Sequence, residues 1–289
     1  MIARYLSLCF TTYSLYILQR AIMGDMNNCH RMFLQKFMSQ SLLNAKEVKQ
    51  LFKQCCDKYS VSISEDDPDA KKRLFEFVRI INANIHPFHM EIKKAISEDD
   101  GSNHYGLVNI SRTDITKMAS DYNQNELEFF KKLVELVVES DDGTVGSIET
   151  LNLTEKLEKK ISKNDAQDLL DRMSRDQWIA QKAGRVSLHT RAVLELEQYI
   201  KEYFVEAVKM CNMCNKLCLK GQTCEECGIK IHFHCAVRYF SHREAQKCPS
   251  RECGAAWTHD IPKRDMNSTQ ATQEDQAASS HVRKRKHHT

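Results

Sequence analysis

Apolar residues recur at helical spacing three times in the first part of the chain. Phe33 and Phe37 are four residues apart, which places them on one face of a first helix. Asn44, followed three residues later by a glutamate, has the pattern of a capping box and predicts a second helix over Ala45–Tyr59. A third apolar face spans Leu74–Ile85.

Two extended segments follow the third helix, which ends at Pro87 because proline cannot continue the helical hydrogen bonding. Residues 90–96 and 105–110 have the pattern of strands. The polar segment between them contains Gly101, which tolerates the positive φ of a tight turn. Three helices followed by a two-stranded hairpin make a winged-helix domain.

The same order of elements recurs from Asn125. The pattern predicts, in order, a helical face over 130–138, a short helix over 147–157, a helix from a Ser162 cap to about Asp176, strands at 178–181 and 185–188, and a helix over 191–204. We therefore predict a mainly α fold with small β hairpins, built from tandem winged-helix domains. The alternative is a generic helical domain with incidental hairpins.

The formal net charge of +3 on 289 residues is located in the tail. Residues 262–289 hold six Lys or Arg and three acidic residues, and the rest of the chain is balanced. A neutral body argues against coating of nucleic acid by bulk electrostatics. The tail is too polar to fold and is predicted to be disordered. Its basic run at 283–286 is a nuclear import signal, a phosphate contact or a solvated basic tail.

The N-terminal segment is apolar over Tyr5–Leu18 but too short to span a bilayer. One interpretation is the core of a signal peptide. The favoured interpretation is an extension upstream of a functional start at Met23 or Met26, because a clear small-x-small cleavage motif is missing. We expect no membrane association.

Eight of the twelve cysteines lie within Cys211–Cys253. They form close pairs in one stretch of a long chain, which favours a metal over disulfide bonds and indicates a reducing compartment. The half-sites are Cys211-x2-Cys214, Cys224-x2-Cys227, His232-x2-Cys235 and Cys248-x4-Cys253. Each pair on a turn supplies half of a tetrahedral zinc site. The sequence therefore predicts two structural Zn²⁺ sites, each closed by four protein ligands.

The spacers of nine and twelve residues before the second and fourth half-sites favour interleaved pairing, a cross-brace. The first and third half-sites then hold one ion, and the second and fourth hold the other. Sequential pairing into two separate fingers is the alternative. In either case the metal contributes on the order of 10 kcal/mol or more per site to folding.

Three ligand choices stay open. His234 competes with His232, which is favoured because it repeats the two-residue spacing to the next cysteine. Cys218 belongs to none of the four spaced ligand pairs and is expected to be a spare thiol. Cys253 is the least constrained ligand, because it follows Cys248 by an unusually long gap.

Several segments together resemble one known family. Residues 211–214 read CysAsnMetCys, residues 221–232 read GlyGlnThrCysGluGluCysGlyIleLysIleHis, and residues 235–240 read CysAlaValArgTyrPhe. They resemble the variant RING of the non-SMC element one subunits of the structural-maintenance-of-chromosomes five/six complexes. Further segments look like family signatures: GluAspAspGly at 98–101, TyrGlyLeuValAsn at 105–109, LysMetAla at 117–119, AsnGluLeu at 125–127 and LeuGluGlnTyrIle at 196–200.

The resemblance covers roughly residues 29–262 and implies two winged-helix domains followed by a RING-like domain. It implies that the winged-helix half binds a MAGE-type subunit and that the pair associates with a kleisin subunit. It also implies a nuclear, chromatin-associated complex that acts in DNA repair by homologous recombination. The RING of this family is credited with ubiquitin-protein ligase activity that the MAGE partner enhances. The long gap before Cys253 and the N-terminal segment depart from the family pattern.

These observations predict five regions. They are an N-terminal extension at 1–25, winged-helix domain A at 26–112, winged-helix domain B at 113–206, a RING-like zinc domain at 207–260 and a basic tail at 261–289.

A RING ligase does no covalent chemistry, so no catalytic residue is expected. It holds a charged ubiquitin-conjugating enzyme and orients the ubiquitin for transfer. The positions that match the docking surface of such domains are Met213 and Pro249, joined by Leu217, although each can equally be a packing residue. Gly254 stands where many active RINGs carry a cation, which predicts weak activity without a partner.

Two other functions compete with the ligase. A histone-reading PHD finger shares the ligand order but has an aromatic residue at the position of Gln246. A non-catalytic adaptor would use the zinc module only to stabilise assembly. The third helix of domain B, Lys163–Asp176, carries both basic and acidic residues, which favours docking of a protein partner over direct reading of DNA bases. Contact with DNA is then expected through the complex as a whole.

Overall fold

The structure is a computed structural model that describes residues 25–60, 69–110, 122–241, 243 and 245–261. The predictions for residues 1–24, for the tail from 262 and for the LysMetAla segment at 117–119 lie outside these residues. The chain divides into two compact units, Met1–Lys209 and Met210–Thr289. In the ranges described, no helix has both the length and the apolar character needed to cross a membrane.

The first repeat contains three helices and a three-stranded antiparallel sheet. Its elements are α1 (Asn28–Ser39), β1 (Leu42–Asn44), α2 (Ala45–Lys58), α3 (Ala70–Ile85), β2 (Met90–Ile96) and β3 (Asn103–Asn109). The strand order is β1-β3-β2. The helices and the hairpin agree with the pattern analysis, whereas β1 was not predicted. Three residues are too few to show an alternation, and β1 is defined only by its pairing, which sets Leu42 opposite Gly106.

Local signals and core packing explain the first repeat. The side chain of Asn44 accepts from the backbone N–H of Glu47, and Glu47 accepts from the backbone N–H of Asn44, which completes the predicted capping box. Phe33 and Phe37 are fully buried in the core. The amide of Asn82 both donates to and accepts from the backbone of β2, at 3.0 and 2.8 Å, and so ties α3 to the hairpin.

The second repeat has the same plan and ends in an extra helix. Its elements are α4 (Gln124–Glu139), β4 (Thr144–Gly146), α5 (Ser147–Asn152), a 3-10 turn (Leu153–Lys156), α6 (Lys163–Arg175), β5 (Ile179–Lys182), β6 (Arg185–Leu188) and α7 (Thr190–Tyr203). The predicted helix at 147–157 therefore divides. The hydroxyl of Thr154 donates to the carbonyl oxygen of Leu151 at 2.9 Å, an acceptor that a continuing α-helix would use.

Helix α7 of the second repeat packs on the sheet of the first. Leu194 lies in one apolar cluster with Leu42 and Val108. A Cβ on Gly106 would lie 2.8 Å from Leu194 Cδ2 and 3.2 Å from the carbonyl oxygen of Ser41, so a larger residue at this position on β3 would have to displace the Leu194 side chain. The two winged-helix repeats are thus joined into one compact unit.

The second unit is small and has little regular structure. It contains β7 (Gln222–Thr223), β8 (Lys230–Ile231) and α8 (Phe233–Phe240). Its buried centre includes Ile231, Phe240 and Trp257, and Trp257 Nε1 donates to Gln222 Oε1 at 2.9 Å. The predicted fold class, a mainly α chain with small antiparallel sheets and a RING-like domain at its C-terminal end, is confirmed.

Candidate metal centre

The first cluster consists of Cys211, Cys214, His232 and Cys235, whose ligand atoms all lie within 4.8 Å of one another. His232 Nδ1 is 3.4 Å from Cys214 Sγ and 3.9 Å from Cys235 Sγ. Tetrahedral zinc with ordinary bond lengths separates a sulfur ligand from a nitrogen ligand by about 3.6 Å. The donors of the first cluster therefore fit one Zn²⁺.

The second cluster consists of Cys224, Cys227, Cys248 and Cys253. Cys224 Sγ is 3.9 Å from Cys253 Sγ, and Cys227 Sγ is 3.6 Å from Cys248 Sγ. Two thiolates on one tetrahedral zinc are about 3.8 Å apart. These four sulfurs also fit one ion.

The structure combines the half-sites in an interleaved way. The half-site at Cys211 meets the one at His232, and the half-site at Cys224 meets the one at Cys248. This is the cross-brace that the spacer lengths favoured over two separate fingers. Interleaving places both clusters in one small apolar core.

His232, and not His234, faces the first cluster. The Nε2 atom of His232 is 2.8 Å from the carbonyl oxygen of Leu217, which can only accept, so Nε2 carries the proton and Nδ1 presents its lone pair to the sulfurs. The ring of His234 stacks on that of His232, and its buried Nδ1 has no hydrogen-bond partner. Cys218 is buried outside both clusters, 3.5 Å from the carbonyl oxygen of Lys220.

Each of the three half-sites that consist of two cysteines forms a tight turn, here called a knuckle. In each knuckle the residue directly after the second cysteine has a positive φ. These residues are Asn215 (φ +56°), Gly228 (φ +71°) and Gly254 (φ +63°). Glycine and asparagine adopt this left-handed conformation most readily. These three residues are a signal in the sequence that was not among the predictions: Gly254 follows the last ligand because the backbone there adopts a positive φ.

A second regularity explains how the long last half-site closes. In every knuckle the backbone N–H of the first cysteine donates to the carbonyl oxygen of the residue two positions after the second cysteine. These hydrogen bonds join Cys211 to Lys216 at 2.8 Å, Cys224 to Ile229 at 2.9 Å and Cys248 to Ala255 at 2.8 Å. The two additional residues before Cys253 therefore enlarge the loop without opening it, and Cys253 takes its place in the second cluster.

The environment of the sulfurs favours thiolates at one position in each cluster. The backbone N–H of Cys227 donates to the sulfur of Cys224 and lowers the pKa of Cys224 to about 7. Hydrogen bonds from the neighbouring sulfurs, Cys214 first, lower the pKa of Cys211. The pKa of Cys235 is raised by its hydrogen bond with Cys211. A divalent cation replaces the remaining protons when it binds.

The three docking candidates differ in accessibility. Met213 and Pro249 are half-buried, so part of each side chain is available to a partner. Leu217 is only 4% exposed, which corrects the expectation that it joins a docking surface. Its backbone carbonyl instead orients His232. Phe233, which the sequence analysis did not select, is 39% exposed beside that histidine.

Two interleaved Cys/His clusters in a small apolar core, with donor separations that suit tetrahedral zinc, define a RING-like protein. In agreement, the model of the RING-like domain family matches residues 211–257. The family model described as "Nse1 non-SMC component of SMC5-6 complex" matches residues 30–196. The chain belongs to this Nse1 family, and the resemblance drawn from its motifs is confirmed.

Curated relatives match most of the chain. A "Non-structural maintenance of chromosomes element 1 homolog" from Xenopus laevis is 39% identical over 245 residues, 84% of this chain and 88% of the relative. The homolog from Homo sapiens is 39% identical over 242 residues, with 83% and 88% covered. A solved chain of an "Nse1-Nse3-Nse4 complex" has a TM-score of 0.74 and 39% identity, and covers 82% of this chain and 100% of its own length.

Proposed function

We propose that the chain is a RING-type ubiquitin-protein ligase subunit of an SMC five/six complex, with one structural Zn²⁺ in each cluster. The observation that carries the proposal is the cross-braced pair of clusters with donor separations that suit tetrahedral zinc. Four protein ligands leave no coordination position for water, so zinc supplies folding free energy and no hydrolytic chemistry.

The chain's own residues would promote ubiquitin transfer by position alone. Met213 lies between the first two ligands and Pro249 follows Cys248, so the two zinc loops present both side chains. A conjugating enzyme held on this surface would have its ubiquitin thioester restrained near the attacking lysine, an effect of proximity and orientation. Without a partner we expect weak activity, because Gly254 provides no cation to hold ubiquitin.

We further propose that the winged-helix unit binds a MAGE-type subunit and that the pair joins a kleisin subunit. Support comes from the similar chain solved in an Nse1-Nse3-Nse4 complex. Membership of the Nse1 family supports a nuclear, chromatin-associated role in DNA repair by homologous recombination and in chromosome maintenance. Contact with DNA would then be made through the complex.

A ubiquitination assay with a panel of conjugating enzymes, with and without the MAGE-type partner, tests the ligase. Met213→Ala should remove activity from a folded protein, and Asn212→Ala, at the exposed neighbouring position, should retain it. Cys224→Ala with Cys227→Ala serves as the variant that loses the second ion. Activity that is unchanged in Met213→Ala would contradict the docking surface.

A non-catalytic adaptor is the second candidate, and the backbone at Gly254 favours it. Its φ of +63° makes a side chain unfavourable at the position where a ligase would carry a cation. Absence of activity with every conjugating enzyme, from protein that holds two zinc ions and binds its partner, would establish the adaptor and refute the ligase.

A further inference from the structure

The two clusters differ in their exposure to solvent. In the first cluster Cys211, His232 and Cys235 are buried and Cys214 is half-buried. In the second cluster Cys227 is exposed and Cys253 is half-buried. A small oxidant or alkylating reagent therefore reaches a sulfur of the second cluster before it reaches most of the first.

The clusters also differ in charge. Three thiolates and a neutral imidazole around Zn²⁺ leave one negative charge in excess, whereas four thiolates leave two. The additional charge is shared by the sulfurs and makes them better nucleophiles. Because oxidation of cysteine follows thiolate character and exposure, both differences act in the same direction.

A second thiol stands close to the exposed one. Cys248 Sγ is 3.6 Å from Cys227 Sγ, and Cys248 is buried. A disulfide requires the two sulfurs to approach to about 2.05 Å, a closure of about 1.5 Å that departure of the ion would allow. Cys248 is therefore placed to react with an oxidised Cys227.

We infer that Cys227 is an oxidation-sensitive modification site, and that hydrogen peroxide reacting there releases the ion of the second cluster and leaves the first cluster loaded. In the first step the Cys227 thiolate attacks one peroxide oxygen, the O–O bond breaks, and a sulfenic acid and hydroxide form. In the second step the Cys248 thiolate attacks that sulfur and displaces hydroxide, which leaves a Cys227–Cys248 disulfide. The sulfurs lose two electrons, peroxide is reduced to two hydroxide ions that protonate to water, and Zn²⁺ leaves.

This inference rests on the proposed zinc occupancy and has a consequence for the proposed ligase. Pro249, a docking candidate, directly follows Cys248. Oxidation would thus disturb one side of the docking surface while Met213, between ligands of the first cluster, stays supported.

The test uses the full chain with Cys9→Ser, which removes the N-terminal thiol. Its zinc content is measured first by atomic emission. Peroxide is then added in steps while released zinc is followed with a chromogenic chelator, and disulfides are mapped by mass spectrometry without reduction. We expect one of the two zinc ions to be released in an early phase, together with a Cys227–Cys248 disulfide, and the other only at higher peroxide.

Cys227→His gives both clusters the same donor set and should abolish the early phase while two zinc ions remain bound. The buried Cys218→Ser should leave the early phase unchanged. If Cys227→His does not retain two ions, brief alkylation of the zinc-loaded parent with N-ethylmaleimide tests the inference instead. Cys227 should then be labelled before any other zinc ligand.

Four outcomes separate the possible errors. A parent protein without two zinc ions would overturn the proposed metal centre and this inference with it. Two ions that leave in one phase, or a first disulfide within the first cluster, would overturn the inference alone. Earlier labelling of another zinc ligand would do the same.

Discussion

Gly221 lies close to the backbone of β8 in the second unit, and its replacement by alanine is expected to be severe. A Cβ at this position would overlap the carbonyl oxygen of Ile231 and lie 2.8 Å from Cys218 Sγ and 3.0 Å from the carbonyl carbon of Ile231. Two of these three atoms belong to the backbone of β8. Backbone in a sheet cannot rotate away as the end of a side chain can, so the strand that leads into His232 has to move.

The expected cost follows from this geometry. Overpacking of a core costs typically about 1–3 kcal/mol, and an immovable neighbour places Gly221→Ala at the upper end, about 3 kcal/mol. Gly228→Ala is the matched control. It has nothing within 4 Å of its Cβ and bears only the strain of a φ of +71°, expected to cost about 1–2 kcal/mol.

The chain has two tryptophans, which supply a clean assay. Trp257 is buried in the zinc module and Trp178 in the winged-helix unit. In a Trp178→Phe background, the fluorescence of Trp257 alone follows the unfolding of the second unit by denaturant at a fixed concentration of free zinc. Adding Cys218→Ala to Gly221→Ala relieves only the sulfur contact and should restore little stability. Substantial rescue by Cys218→Ala, or a smaller loss for Gly221→Ala than for Gly228→Ala, would refute the reasoning.

Three further predictions concern the whole chain. Leu194→Ala should lower the free energy of unfolding by about 2–5 kcal/mol, because it leaves a cavity between α7 and the first sheet. Urea unfolding measures this loss. The control Glu202→Ala, at an exposed position on the same helix, should have little effect. Burial against Phe77 lowers the pKa of His30 below its ordinary 6.5, so protonation favours the unfolded chain and the free energy of unfolding should fall as the pH drops below about 6.5. His30→Gln should flatten that slope in unfolding followed at several pH values, and an equal slope in both proteins would contradict the assignment. Removal of zinc by a strong chelator should unfold the second unit, and the fluorescence of buried Trp257 should change accordingly. The helical circular dichroism of the winged-helix unit should remain. Unchanged Trp257 fluorescence in zinc-free protein would contradict a folding role for the metal.

The sequence by itself determined the elements whose signals are local. Helical periodicity located the helices of both repeats, and Asn44 marked the start of α2 through contacts within three residues. The ligand pairs and their spacers were also local, because a knuckle is a single turn of chain. The interleaved pairing could be inferred since the spacer lengths limit which half-sites can meet.

Only the tertiary structure decided what depends on distant neighbours. Strand β1 exists through its partner β3, and the close packing at Gly106 comes from Leu194, nearly ninety positions further along the chain. The two-residue spacing favoured His232 over His234, but the carbonyl of Leu217 sets the tautomer that turns His232 Nδ1 to the sulfurs, and no spacing rule contains that contact. Leu217 is itself only 4% exposed, although its position beside Met213 and Pro249 in docking surfaces of such domains had suggested a surface residue. Sequence periodicity reports which face of an element is apolar, but the atoms that meet that face are known only once the chain has folded.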